Sequence, residues 1–106
     1  MAKNLYEILV PANANDGTEY DIAHHKRWDE HVRSIAGGLT IFKPAKGQLI
    51  SPQGELFLDR MIPVRILCER LDIERIIDFT MQHYDQKAVL AYAISTEVIL
   101  RHRAEQ

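Results

Sequence analysis

A single cysteine, Cys68, in 106 residues excludes an internal disulfide and fits a reducing compartment. No apolar run approaches the roughly 20 residues of a membrane-spanning helix. The opening residues, Met1 to Glu7, hold no signal-peptide core, because Glu7 interrupts it. The expectation is a cytoplasmic protein. Charge of one sign is also lacking. The net charge of −2 gives no drive toward nucleic acid or anionic membrane, and the aromatic residues lack the basic neighbours of a single-strand platform. Neither G-x-G-x-x-G nor G-x-x-x-x-G-K-[ST] occurs, which removes the common phosphate-binding loops. Repeats, linkers and low-complexity segments are missing, so residues 1–106 read as one domain, small enough that a partner chain would help it.

What is present centres on Met61–Cys68. Alternation puts Ile62, Val64, Ile66 and Cys68 on one face of a strand, and Met61, Arg65 and Leu67 on the other. Phe57 and Asp59 continue that second, mixed face upstream. Leu5–Val10 is a strand stopped by Pro11. Thr18 with Asp21 predicts a helix over about 19–36, ended by Gly37-Gly38, with His24, Trp28, His31, Val32 and Ile35 on one face. Leu39–Lys43 is a second strand. Gln48–Ile50 forms a short piece between turns, leading into a strand over about 55–68. Pro63 inside that strand predicts a bulge or an unpaired backbone site. Asp72 caps a helix over about 73–85 with Ile73, Ile76, Ile77, Thr80, Met81 and Tyr84 on its stripe; Phe79 lies off it. Lys87–Ser95 is the last strand, Glu97–Leu100 an extension of it, and Arg101–Gln106 a frayed end.

The order β-α-β-β-α-β predicts an α+β, ferredoxin-like (split βαβ) antiparallel sheet with two helices on one face. The other face keeps Met61, Leu67 and one row of the last strand. A sheet apolar on both sides needs cover on both, which predicts a homo-oligomer joined open face to open face.

Chemistry-bearing residues divide as follows. His24 and His31 lie seven apart, too far for a helical metal pair, so no metal is expected; half-buried histidines bonded to backbone beside Trp28 account for them. Cys68 shares the helix-facing row and reads as structural. Asp59, Arg60 and Arg65 suit a charged small ligand. The alternative is a solvated ion pair at a strand end, which contributes little, and residue types alone favour that alternative. Tyr6, Phe57, Tyr84 and Tyr92 suit ring stacking, although most aromatics in so small a domain are core.

The features together resemble the small S-adenosylmethionine lyases of bacteriophages. The residues concerned are the first strand, His25-Lys-Arg-Trp28 with Val32-Arg33, Gly38-Leu39, Phe57-Leu58-Asp59, Val64–Cys68, Tyr84-Asp-Gln86 and Val89–Tyr92. The run Gly38-Leu39, Gly47, Gly54, Asp59 is also similar to a family of small bacterial and phage proteins of unknown function. The lyase resemblance implies a trimer with ligand sites between chains and a reaction without cofactor. In it, the substrate's own carboxylate displaces the sulfonium to give homoserine lactone and methylthioadenosine. By that resemblance Asp59 takes the place of the active-site acid and Phe57 that of a nearby tyrosine. Both depart from the pattern, where a glutamate and a tyrosine are expected. The expected function is thus a homotrimer binding a nucleoside-type small molecule between subunits, with Asp59 catalytic and Phe57, Arg65 and Tyr92 binding ligand. The rival expectation is a non-catalytic oligomeric module that sequesters a ligand or engages a host protein.

Overall fold

The computed structural model describes residues 2–104; the expectations for Met1 and for Glu105 and Gln106 lie outside the described residues. Seven elements follow in the order β1 (Asn4–Pro11), α1 (Ile22–Ala36), β2 (Thr40–Ile41), β3 (Ala45–Ile50), β4 (Leu56–Cys68), α2 (Arg70–His83) and β5 (Ala91–Ser95). The sheet is antiparallel throughout, ordered β2-β4-β1-β5, with β3 also on β4. This is the ferredoxin-like α+β arrangement.

Alternation decides the two faces. Tyr6, Ile8 and Val10 of β1, with Val64, Ile66 and Cys68 of β4, form the buried row under the helices. Trp28 and Val32 of α1 and Ile73, Ile76 and Thr80 of α2 close onto it. The helix starts are one turn from expectation. Asp21, not Thr18, caps α1, its Oδ1 accepting the His24 backbone N–H at 2.7 Å, because Thr18 is held in a turn by Asp16 (2.9 Å). Helix α2 begins at Arg70, ahead of Asp72, which lies inside its first turn. Gly37, at φ 86°, ends α1 in the left-handed region as expected.

Pro63 does not break β4. Pairing with β1 is continuous from Asn4↔Cys68 to Pro11↔Met61. The Pro63 carbonyl accepts from Phe42 N–H at 2.9 Å, so its missing N–H also faces the β2 side. There the three residues 42–44 face only Ile62 and Pro63, between Ile41↔Val64 and Ala45↔Met61. The irregularity that proline demands is therefore carried by the partner strand. This also shortens β2 to two residues and frees β3 to run longer than expected.

Beyond Met61 the β3–β4 ribbon leaves the body as an arm, turned at Ser51–Glu55 with Gly54 at φ 84°. The molecule measures 58 × 30 × 23 Å with a radius of gyration of 15.4 Å. A compact chain of this length would have about 13 Å. Leu49, Ile50, Leu56, Phe57 and Leu58 on the arm are all exposed. Residues 96–104 form no strand, against the expected extension, and Val98, Ile99 and Leu100 stand exposed there.

Candidate functional site

On the open sheet face three strands present one polar residue each in a single row. Glu7 of β1 lies directly opposite Arg65 of β4 and directly opposite Tyr92 of β5. Directly opposed side chains start about 5 Å apart, so the three must interact. Arg65 Nε donates to Glu7 Oε1 at 3.1 Å, and the Tyr92 hydroxyl donates to Glu7 Oε2. The bulged segment after β2 brings Phe42 under the Arg65 guanidinium, 4.7 Å from ring centre to carbon. Around the row lie Leu5, Leu9, Met61, Pro63 and Leu67, at register positions on the same face.

The row's electrostatics follow from this geometry. The Tyr92 hydrogen bond, with help from Arg65, lowers the Glu7 carboxyl below its ordinary value. The same bond raises the Tyr92 hydroxyl. Glu7 is only 13% exposed while Arg65 is 42% exposed. Among the described residues Arg65 has no partner at its two terminal nitrogens, so the guanidinium is braced at Nε and its face and presents the outer fork to the surface. That arrangement suits a carboxylate or other planar oxyanion. In Glu7→Gln the ionised acceptor is gone, and Tyr92 is expected to titrate closer to the ordinary tyrosine value of about 10. Ring-carbon NMR through an alkaline titration measures it; an unmoved Tyr92 midpoint would show that the bond does not control the hydroxyl.

Arg65 and Tyr92 therefore meet, through a residue that sequence reading assigned no role. The missed signal was local. Glu7 is the sole charge in a strand whose other face buries Tyr6, Ile8 and Val10. Asp59 and Phe57 are elsewhere. They share the parity of Arg65, but Asp59 is six residues up β4, about 20 Å at 3.3 Å per residue. Asp59 therefore shares the face of Arg65 without standing beside it in one chain, because the strand runs out into the arm. Asp59 pairs with Gly47 and Phe57 with Leu49. Asp59, Lys46, Gly47, Gln48, Leu58 and Arg60 line a shallow hollow of about 210 Å³ there. Arg60, for its part, meets Glu19 at 3.5 Å in an exposed pair of little energetic weight.

No protein-family model and no curated protein matches the chain. Solved structures do match. The chain shares its fold with a phage S-adenosylmethionine lyase in complex with S-methyl-5'-thioadenosine and with the CutA proteins. The lyase superposes with a TM-score of 0.65 at 14% identity, over 89% of this chain and 90% of the other. The periplasmic divalent cation tolerance protein CutA of Archaeoglobus fulgidus gives 0.67 at 15%, over 93% and 88%. CutA of Xylella fastidiosa gives 0.68 at 15%, over 94% and 88%. Identities this low carry the fold and nothing about activity.

Two other candidates resolve into structure. Cys68 is buried, and burial, with Asp72 nearby, pushes its thiol up to about 11, so it is protonated at neutral pH and no nucleophile. The histidines belong to the seam between helices. His24 Nε2 bonds the His83 carbonyl at 2.9 Å, and His83 Nε2 bonds the His24 carbonyl at 2.8 Å. Phe79, the residue off the helical stripe, stacks between His31 at 3.8 Å and His83 at 5.2 Å. Among the described residues no three potential metal ligands come together.

Proposed function

We propose that this protein is a homotrimer that binds a nucleoside-type small molecule at the seams between subunits, and that the ligand is S-adenosylmethionine, cleaved to homoserine lactone and methylthioadenosine. The observation that carries the reading is the separation of Asp59 from the Glu7–Arg65–Tyr92 row. Both lie on one sheet face, too far apart to share a ligand within a chain, and in the proposed trimer the projecting arm would carry Asp59 to the open face of a neighbour. The likeness of fold to a phage lyase holding methylthioadenosine supports the choice of ligand.

The reaction asks little of the protein. A carboxylate oxygen of the substrate attacks its own γ-carbon, a C–O bond forms, and the C–S bond breaks with its electron pair passing to sulfur. No proton moves. The site has to hold the carboxylate in line with the C–S bond, a positional effect worth several kcal/mol, on the order of 7–11 at its upper range. Asp59 is the anchor for the substrate's positive charge. Arg65 orients the carboxylate, and with Nε already given to Glu7 it holds that group through its outer nitrogens alone. Phe57 and Tyr92 supply ring contacts.

Incubation with S-adenosylmethionine followed by chromatography tests this directly. Both products are expected, with turnover lost in Asp59→Asn and in Arg65→Ala while the folded structure persists by circular dichroism. Unchanged substrate together with no calorimetric heat of binding ends the lyase reading. A second reading, a non-catalytic oligomeric module, is favoured by one observation: the shorter Asp59 and the hydroxyl-free Phe57 where the lyases are expected to carry glutamate and tyrosine. It gains if both substitutions alter assembly and neither alters any ligand affinity.

A further inference from the structure

The helix layer, on the side of the sheet away from the proposed site, carries a ladder of five rings. Tyr20 stacks on His24 (4.6 Å), His24 on His83 (3.9 Å), His83 on Phe79 (5.2 Å) and Phe79 on His31 (3.8 Å). The His24–His83 step is the one place where α1 and α2 exchange reciprocal side-chain-to-backbone bonds. Each bond ends on a carbonyl oxygen, so each Nε2 must carry its proton. His24 Nδ1 in turn faces Arg27 Nη2 at 3.4 Å. A guanidinium only donates, so that nitrogen must keep its lone pair. The hydrogen bonds alone therefore define His24 as the neutral Nε2–H tautomer.

We propose that the His24–His83 step is an acid-operated release: it holds the end of α2 and the 13–20 loop against α1 while His24 is neutral, and lets them go when His24 gains a proton. The added proton can go only to Nδ1, where it meets Arg27, and the resulting cation lies flat against His83. The groups facing His24 are of both signs. Asp21, the Tyr20 ring and the His83 carbonyl favour the cation, but the Asp21 carboxylate is already bonded to the His24 backbone N–H and the carbonyl is already held by the neutral Nε2–H. Arg27, His83 and the neighbouring His25 oppose it, with Asp29 beside His25 and Asp85 beside Tyr20 at the margin. The sheet's buried row holds Tyr6, Ile8, Val10, Val64, Ile66 and Cys68, and Tyr84 sets its ring edge-on to His24 at 5.1 Å; burial pushes the Cys68 thiol and the Tyr84 hydroxyl up, so neither gains charge as pH falls. Burial, then His83, holds His24 below the ordinary value of 6.5; burial, then His24, does the same to His25.

The sign follows. The folded chain binds fewer protons than the unfolded one below about 6.5, so stability present above that pH is lost as pH falls through the folded values. What rides on the step is the 13–20 loop, tied to the end of α2 by the Tyr20 hydroxyl on the Tyr84 carbonyl (2.9 Å) and Asn15 on the Asp85 carbonyl (2.9 Å).

Amide hydrogen exchange on the full chain, at about pH 7.5 and about pH 5 with intrinsic rates corrected, tests the release. Amides of 80–86 are expected to exchange about tenfold faster in acid. His24→Phe keeps a stacking ring that cannot titrate, and should abolish the acceleration; His25 is present in both chains, so the difference belongs to His24. Arg27→Gln, at an exposed position that folding does not need, should move the midpoint upward toward 6.5 by removing the opposing cation. No acceleration in the unaltered chain, equal acceleration in His24→Phe, or a midpoint that Arg27→Gln leaves in place would each overturn the proposal.

Discussion

Truncating Trp28 to alanine is expected to remove about 3–5 kcal/mol of folding stability. The residue is the single tryptophan, 1% exposed, and joins both helices to the sheet. Its loss leaves a cavity among Val32, Ile76, Thr80 and Tyr84, and it breaks a polar chain as well. Trp28 Nε1 donates to Thr80 Oγ1 at 2.9 Å, and Thr80 Oγ1 donates to the Ile76 carbonyl at 2.6 Å. The threonine keeps its acceptor but loses its donor, and a lone pair is left buried. Domains of this size are stable by only about 5–15 kcal/mol, so the variant sits at the edge of folding. Urea denaturation followed by circular dichroism measures the change. Trp28→Phe separates the terms: it restores most of the apolar volume without the donor, and should recover more than half of the loss. A loss under about 1 kcal/mol in the alanine variant would mean that the two helices do not depend on this contact.

How far the sequence carried can be judged from such residues. The buried row of β4 was legible because alternation is a local property: Val64, Ile66 and Cys68 announce their face without reference to anything distant. The α1 stripe through Trp28 and Val32 was legible for the same reason at the helical period. Pro63 was recognised as a problem, but its solution lies on another strand, where 42–44 bulge, and no reading of β4 alone locates that. The row at Glu7 was hidden differently. Its meaning depends on Arg65 and Tyr92 standing opposite it, a matter of register between segments 58 and 85 residues away. Asp59 misled in the converse way. Parity correctly put it on the face of Arg65, while the distance between them depended on whether that strand stayed in the sheet. The ring ladder needs the sliding position of one helix against the other, which no periodicity contains.

For the proposed homotrimer, replacing Leu56 and Leu58 together with lysine is expected to convert a species three times the 12.2 kDa chain mass to a single chain, with little effect on the fold of that chain. Leu56 and Leu58 are 59% and 70% exposed, so within one chain neither supports the core. Their setting is what makes exposure costly. The arm is a two-stranded ribbon, apolar on both sides, with Ile50, Leu56 and Leu58 on one and Leu49 and Phe57 on the other. Such a ribbon is marginal on its own in water, and its free edge and apolar faces invite a partner. At about 25 cal/mol per Å² of apolar surface, covering these side chains supplies several kcal/mol per arm, which charged replacements reverse. Light scattering across a range of concentrations reads the outcome, and thermal melting supports it, since only an assembled chain melts higher as it is concentrated. If the unaltered chain already scatters as a monomer, the arm is covered by something other than its own copies, and Asp59 has no neighbouring Arg65 row to reach. If the doubly substituted chain remains assembled, the seam runs along the open face, the side of Phe57 and Asp59, and the Leu56–Leu58 side of the arm is not what seals it.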